Sequence, residues 1–175
     1  RQLIAIGKFE VHCDLIAGLP GQTFASLEKD IMTLIAANPA EIQLEVLKIL
    51  PGTPLEKNLP AGMQVDSSLP RAVIATAHMT AAEIFEAVRW SVFLESFYNR
   101  PELRVVLRLA ELQQPGWIRG FFCQIRDQLN PQGGKLSLDR RYALLLQSNC
   151  PTAARQAAML QALLGNVHLP EFLPV

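Results

Sequence analysis

The sequence has no long apolar run, no cysteine cluster and no excess of charge of either sign, and each absence excludes a class of protein. Apolar stretches such as residues 31–35 and 143–146 fall far short of the roughly 20 residues that a membrane-spanning helix needs, so no membrane partner is expected. The 16 basic and 16 acidic side chains cancel to a formal net charge of zero, which leaves no basic footprint for nucleic acid. The three cysteines, Cys13, Cys123 and Cys150, lie far apart and form neither CxxC nor CxxxCxxC, and His12, His78 and His168 share no ligand spacing with them. No metal site made by this chain alone is expected. Dispersed cysteines in apolar surroundings suit reduced, buried thiols, and from them a cytoplasmic location is expected.

Half of the 175 residues are hydrophobic and 18% are charged, enough for one domain with a sizeable core or for an incomplete domain with an extension. The opening Arg1-Gln2-Leu3-Ile4-Ala5-Ile6-Gly7 has neither an initiator methionine nor the charged, apolar and cleavage-site order of a signal peptide. It reads as the tail of a helix continuing from an upstream part of a longer chain.

Residues 11–17 are almost continuously apolar, interrupted by one acid and closed by Gly18-Leu19-Pro20-Gly21, which predicts a buried parallel strand ending in a tight turn. Thr23 is placed to cap a helix with Phe24, Leu27, Ile31, Leu34 and Ile35 on one face, ended by Asn38-Pro39. Residues 42–50 alternate as a second strand up to Pro51-Gly52-Thr53-Pro54. This is one βαβ unit, and two parallel strands with one crossover helix make no stable sheet on their own, since both faces and both edges need cover. Partner strands from an upstream part, or a second copy pairing through the exposed strand edge as a homo-oligomer, are therefore expected.

Residues 59–70 read as a loop. Thr80 then caps a long helix with the stripe Ile84, Val88, Val92, Leu94 and Phe97, running to Tyr98-Asn99 before Pro101 interrupts it. Further helices are predicted over about 102–113, 117–129, 139–147 and 152–164. The chain accordingly divides into a βαβ portion at 1–56, a connector at 57–79 and a helical C-terminal domain at 80–175. Trp90, Phe97 and Tyr98 read as helix core, and His12 and His78 as structural residues among apolar neighbours.

The most informative segment is 12–23, because it sets Asp14 inside a strand and glycines at the strand's carboxyl end. In parallel α/β architectures that end opens onto the ligand crevice, and glycine lets a ligand approach the backbone. A buried Asp14 needs a hydroxyl, amide or cation as partner; tying down a neighbouring loop or pairing with a core arginine is the commoner fate of such an acid. The segment lacks the lysine and glycine spacing of a phosphate-binding P-loop.

Two motifs, Asp-Leu-Ile-Ala-Gly-Leu-Pro-Gly-Gln-Thr at 14–23 and Gln43-Leu44-Glu45-Val46-Leu47-Lys48-Ile49-Leu50-Pro51-Gly52-Thr53-Pro54-Leu55, resemble the fifth and sixth strands of a radical S-adenosylmethionine (SAM) partial barrel. The stretch from Gly62 through Ser67, Pro70 and Thr80 to Phe97-Tyr98-Asn99 is similar to a cobalamin-binding radical SAM subgroup with a helical C-terminal domain of unknown function. The resemblance covers residues 1–99 and is compatible with 100–175, where there are helices but no motif.

The fold it implies is an α/β one, an incomplete radical SAM-type (β/α) barrel fragment followed by a mostly α-helical region. It further implies a parent oxidoreductase, of the kind labelled magnesium-protoporphyrin ester cyclase-like or methyltransferase-like, whose upstream part carries a cobalamin-binding domain and a CxxxCxxC loop. That loop would hold a four-iron four-sulfur cluster that cleaves SAM to a 5′-deoxyadenosyl radical.

By the same resemblance Asp14 matches an acid that contacts the SAM ribose, and Ile16 an apolar residue flanking the adenine. Gly18, with Pro20 and Gly21, shapes the turn beneath. Lys48 falls where the relatives have a small residue lining the adenine pocket, and its long cationic side chain departs from that pattern. Gln43 and Glu45 face either the barrel lumen or solvent. A second reading, in which residues 57–175 form a helical docking or dimerisation module with no catalytic role, stands beside the enzyme reading. Lacking a CxxxCxxC loop, the chain alone is expected to retain no iron after anaerobic reconstitution and to release no 5′-deoxyadenosine; a brown, cluster-absorbing product would overturn this.

Overall fold

Two short runs of alternating side chains organise the first part of the chain. In the computed structural model, which describes residues 2–6, 8–131 and 136–165, His12–Ala17 (β1) and Glu41–Val46 (β2) pair in parallel, from His12 beside Glu41 to Ala17 beside Val46. A short helix, Gln2–Ile6 (α1), precedes them, and Phe24–Ala37 (α2) makes the crossover. The expected βαβ unit is present. The chain is mixed α/β, and among the described residues β1 and β2 form a two-stranded sheet rather than a closed barrel.

The crossover helix starts and stops where side-chain chemistry dictates. Thr23 Oγ1 accepts from the Ser26 N–H at 3.2 Å and Ser26 Oγ accepts from the Thr23 N–H at 3.2 Å, a reciprocal cap that satisfies two N–H groups. Asn38 takes the left-handed conformation at φ 60° and ends the helix. Leu27, Ile31 and Ile35 lie on one buried stripe, and α2 packs on β1. Each such side chain contributes about 1.5–3 kcal/mol when fully buried.

The second strand is shorter than its alternation predicts. It ends at Val46 because the next residues change partner: the Leu47 N–H still donates to Ala17 O at 2.9 Å, but Leu47 O accepts from the Val73 N–H at 2.8 Å and the Ile49 N–H donates to Arg71 O at 3.0 Å. Residues 47–49 therefore run antiparallel to 71–73, with Lys48 paired to Ala72. The helix Pro54–Lys57 (α3) intervenes, and the segment expected to be a plain connector holds an antiparallel pair, Gln64–Val65 (β3) and Val73–Ala75 (β4). Its buried Val73 and Ala75 belong to the core. These strands are two and three residues long, too short for alternation to announce them.

Ala81–Phe93 (α4) begins with the predicted cap, Thr80 Oγ1 accepting from the Glu83 N–H at 3.3 Å while the Thr80 N–H donates to Glu83 Oε2 at 2.7 Å. The chain divides into two compact units, Arg1–Ser91 and Val92–Val175, and the division falls within α4. In the second unit, Leu94–Tyr98 is a π-helical turn, the Asn99 N–H donating five residues back to Leu94 O at 2.8 Å. One extra residue per turn rotates the apolar stripe, so Leu94, Ser96, Phe97 and Tyr98 are all buried.

The helices Pro101–Gln113 (α5), Trp117–Ile125 (α6), Leu138–Gln147 (α7) and Thr152–Leu164 (α8) follow, within a residue or so of prediction except that α6 gives way to a 3₁₀ turn, Arg126–Gln128. Phe97 meets Phe121 edge-on at 5.4 Å between centroids, and Phe121 stacks on Trp117 at 4.9 Å. Glu111 caps α6, accepting from the Gly116 and Ile118 N–H groups at 2.6 and 2.9 Å. Ala154, Ala158 and Ala162 are fully buried on one face of α8, which packs on α5 and α7. Trp90, Phe97 and Tyr98 are core residues, as their spacing predicts.

The strand-to-turn junction is a tight point of the first unit. Gly18 sits at φ +88°, and a Cβ there would lie 3.2 Å from Val73 Cγ1 and 3.3 Å from Ile84 Cδ1. Gly18→Ala is expected to destabilise the protein by about 1–3 kcal/mol, read as a lowered urea midpoint, through backbone strain and overpacking. An unchanged midpoint would show that the turn is not so constrained.

Candidate functional site on the open sheet face

Parallel pairing in this register sets Asp14 beside Gln43 and Ile16 beside Glu45. Alternate residues of a strand share a face, so these four side chains stand together while Ile42, Leu44 and Ala17 turn inward and are buried. Lys48, just past the end of β2, joins them through a 2.8 Å ion pair from its Nζ to Glu45 Oε2. Asp14 and Ile16 thus stand on one open face, and Lys48 is tied to that face through Glu45.

Asp14 differs from its expected burial: it is exposed, and so is Ile16 at 42%. The cause is simple. A two-stranded sheet has one face under α2, while the opposite face keeps its polar residues in water. An exposed carboxylate needs no protein partner.

His12 is likewise a surface residue rather than one among apolar neighbours, its Nδ1 2.7 Å from Glu41 Oε2 on the adjacent strand. A hydrogen bond from Gln43, and then His12, holds the Glu41 carboxyl below the usual carboxylate range. His78 is also exposed, and His168 lies outside the described residues.

The glycine turn is closed by its own glutamine. Gln22 Oε1 accepts from the Gly18 N–H at 2.8 Å and the Leu19 N–H at 3.3 Å, and Gln22 Nε2 donates to Ile16 O at 3.0 Å. Those backbone groups are spent within the loop, and the space over Gly18 is taken by Val73 and Ile84. Gly18 shapes the turn. Its partner Gln22 was legible only as the residue following the second glycine.

The second turn is built alike. Gly52, at φ +81°, donates its N–H to Glu56 Oε2 at 2.7 Å, Thr53 Oγ1 caps α3, and Glu56 Oε1 pairs with Arg71 Nη1 at 2.5 Å. Glu56 therefore ties the turn after β2 to the start of β4. The Gly52 N–H first, and the Arg71 guanidinium second, hold its carboxyl below the usual range.

A groove of about 200 Å³ runs beside β2, lined by Leu44, Glu45 and Val46 of the strand and Ala87, Val88 and Ser91 of α4. The small side chains of Ala87 and Ser91, four residues apart on one helix face, leave this space. Glu45 belongs to both the groove and the open face. No family model, curated protein or solved structure matches the chain.

Among the described residues, no three His, Cys, Asp or Glu side chains converge as a metal site. No helix there is long and apolar enough to cross a membrane. Cys150 is buried, and burial pushes its thiol up; Cys13 is half-buried. Cys123, expected inside, is exposed on α6 because the apolar face of that helix is already filled by Trp117, Ile118, Phe121, Phe122 and Ile125.

A carboxyl whose folded pKa is depressed contributes stability above its unfolded pKa and loses it as pH falls through the folded value. Glu56→Gln is therefore expected to lower the melting temperature at pH 7, and the gap to the parent protein should close as pH falls from about 5 to about 3. A gap independent of pH would show that the loss comes from packing.

Proposed function

We propose that this chain is the carboxyl-terminal part of a radical SAM enzyme, supplying the last two parallel strands of its partial barrel and a helical C-terminal region. One observation carries the reading. The two motif-bearing segments are parallel neighbours joined by a helix, with Asp14 and Ile16 on the same open face.

The residues present fit the adenosine end of SAM. An exposed carboxylate accepts hydrogen bonds from a ribose diol, and the exposed Ile16 offers an apolar contact two residues along the same face. Lys48, engaged with Glu45, fits an adenine pocket less well than the small residue of the resembled family. The residues do not fit a cluster, whose thiolates must come from the upstream part together with any cobalamin. The upstream chemistry is reductive cleavage of SAM; the role derived for this chain is to orient the nucleoside.

The uncovered sheet face and edges support a chain that is completed by further strands. A second reading, the helical region as a docking module, is favoured by Leu112, Leu160, Leu163 and Leu164, exposed by 60% or more in the second unit.

The test is to join this chain to an upstream part carrying CxxxCxxC, reconstitute it anaerobically and measure 5′-deoxyadenosine. Asp14→Asn in that protein should weaken SAM binding at least about tenfold, the scale of a lost charge-assisted hydrogen bond, with thermal unfolding unchanged because Asp14 is exposed. Failure of the joined protein to bind SAM or release deoxyadenosine sinks the reading.

A further inference from the structure

Helix α8 is apolar on two sides. Ala154, Ala158 and Ala162 are buried on its inner side, and a second stripe of Ala153, Ala157, Leu160 and Leu164 lies on the other. Ala153 is exposed and Ala157 half-buried, while Leu160 and Leu164 are 60% and 78% exposed. Arg155 is the one charged residue among the 13 of the helix, and its Nη2 donates to Ser148 O at 3.1 Å rather than flanking the stripe. A surface helix ordinarily keeps its outer side polar, and one that is apolar on both sides is normally covered on both.

The outer residues follow one another at i, i+4, i+7 and i+11, the spacing that keeps a narrow seam turned towards a partner helix. The first half of the seam is small and the second half large. Laid against a copy of itself running the opposite way, about a two-fold axis between Ala158 and Met159, it sets Ala157 opposite Leu160 of the second copy and Ala153 opposite Leu164 of the second copy. The two-fold axis repeats both pairs.

Every layer of that pairing holds one small and one large side chain. A parallel pairing would set leucine on leucine and alanine on alanine, so that overfilled layers alternate with empty ones, which close packing disfavours. The seam is thus complementary to itself in one direction only, as an interface between two identical surfaces requires. It also brings no like charges together, since Arg155 is engaged elsewhere.

We propose that the outer face of α8 pairs antiparallel with the same face of a second copy of this chain, giving a two-fold dimer. This supplies the partner for the docking-module reading of the helical region and rests on that reading; it is independent of the SAM reading, because the seam lies within the second unit. A single pair of short helices covers less than the ~800 Å² per partner of a standard interface, so the dimer is weak and dissociates on dilution.

Sedimentation equilibrium of the whole chain tests this between about 1 and about 100 μM, the range suited to an interface below standard size. The mass should rise with concentration towards twice the 19.4 kDa of one chain. Leu160→Lys and Ala157→Glu should each stay at 19.4 kDa throughout, with helix content and dilute melting temperature unchanged, because neither side chain is fully buried in the single chain. Mixed in equal amounts, the two variants should recover the dimer, since antiparallel pairing sets the introduced carboxylate opposite the introduced ammonium.

A parent protein that is monomeric at the highest concentration overturns the proposal. So does a mixture that stays monomeric, or a dimer that survives both substitutions and therefore pairs through another surface, such as the sheet edge of the first unit. The docking-module reading itself fails by a different result: deoxyadenosine release by the joined protein that depends on Leu160 at concentrations where every chain is single.

Discussion

The parallel backbone ladder between β1 and β2 constrains everything else in the first unit. Parallel strands cannot be joined by a tight turn, so a crossover helix is obligatory, and its apolar stripe must cover one face of the pair. The register then assigns each side chain to a face. Shifting it by one residue would bury Asp14 and expose Leu15, so the burial of Ile42, Leu44 and Ala17 and the exposure of Asp14 and Glu45 are one decision. The ladder ends at Leu47 because Val73 takes over its carbonyl, and from there the chain is committed to β4.

The two glycine turns show how a local motif can serve the fold and the surface together. In the first, Gln22 uses both ends of its amide to hold the backbone of Ile16, Gly18 and Leu19, while Gly18 admits Val73 and Ile84. In the second, Glu56 holds Gly52 and reaches across to Arg71. These contacts rigidify the carboxyl ends of β1 and β2. They also mean that the turns are not the places where backbone donors await a ligand. What remains open to solvent is the sheet face, where Asp14 and Ile16 stand, and the groove beside β2.

The second unit follows a different rule. Its core is aromatic, and the π-helical turn at Leu94–Tyr98 brings successive large side chains to the same interior. Caps from Glu111 and Ser137 fix where α6 and α7 begin, whereas α5 begins at Arg100 without one.

From sequence alone the crossover unit and the helical region were legible, because Thr23, Asn38, Thr80 and Pro101 mark helix ends by local chemistry and Leu27, Ile31 and Ile35 mark a face by period. The candidate face was legible in part: the spacing of Asp14 and Ile16 assigns both to one side of a strand, but not whether that side is covered. Their exposure, the hairpin of β3 and β4, and the exposure of His12 and Cys123 were decided by tertiary structure. Each depends on which distant segment arrives, as Val73 arrives at Leu47 and Glu41 at His12, and contacts between residues far apart in the chain leave no trace in local period or capping chemistry.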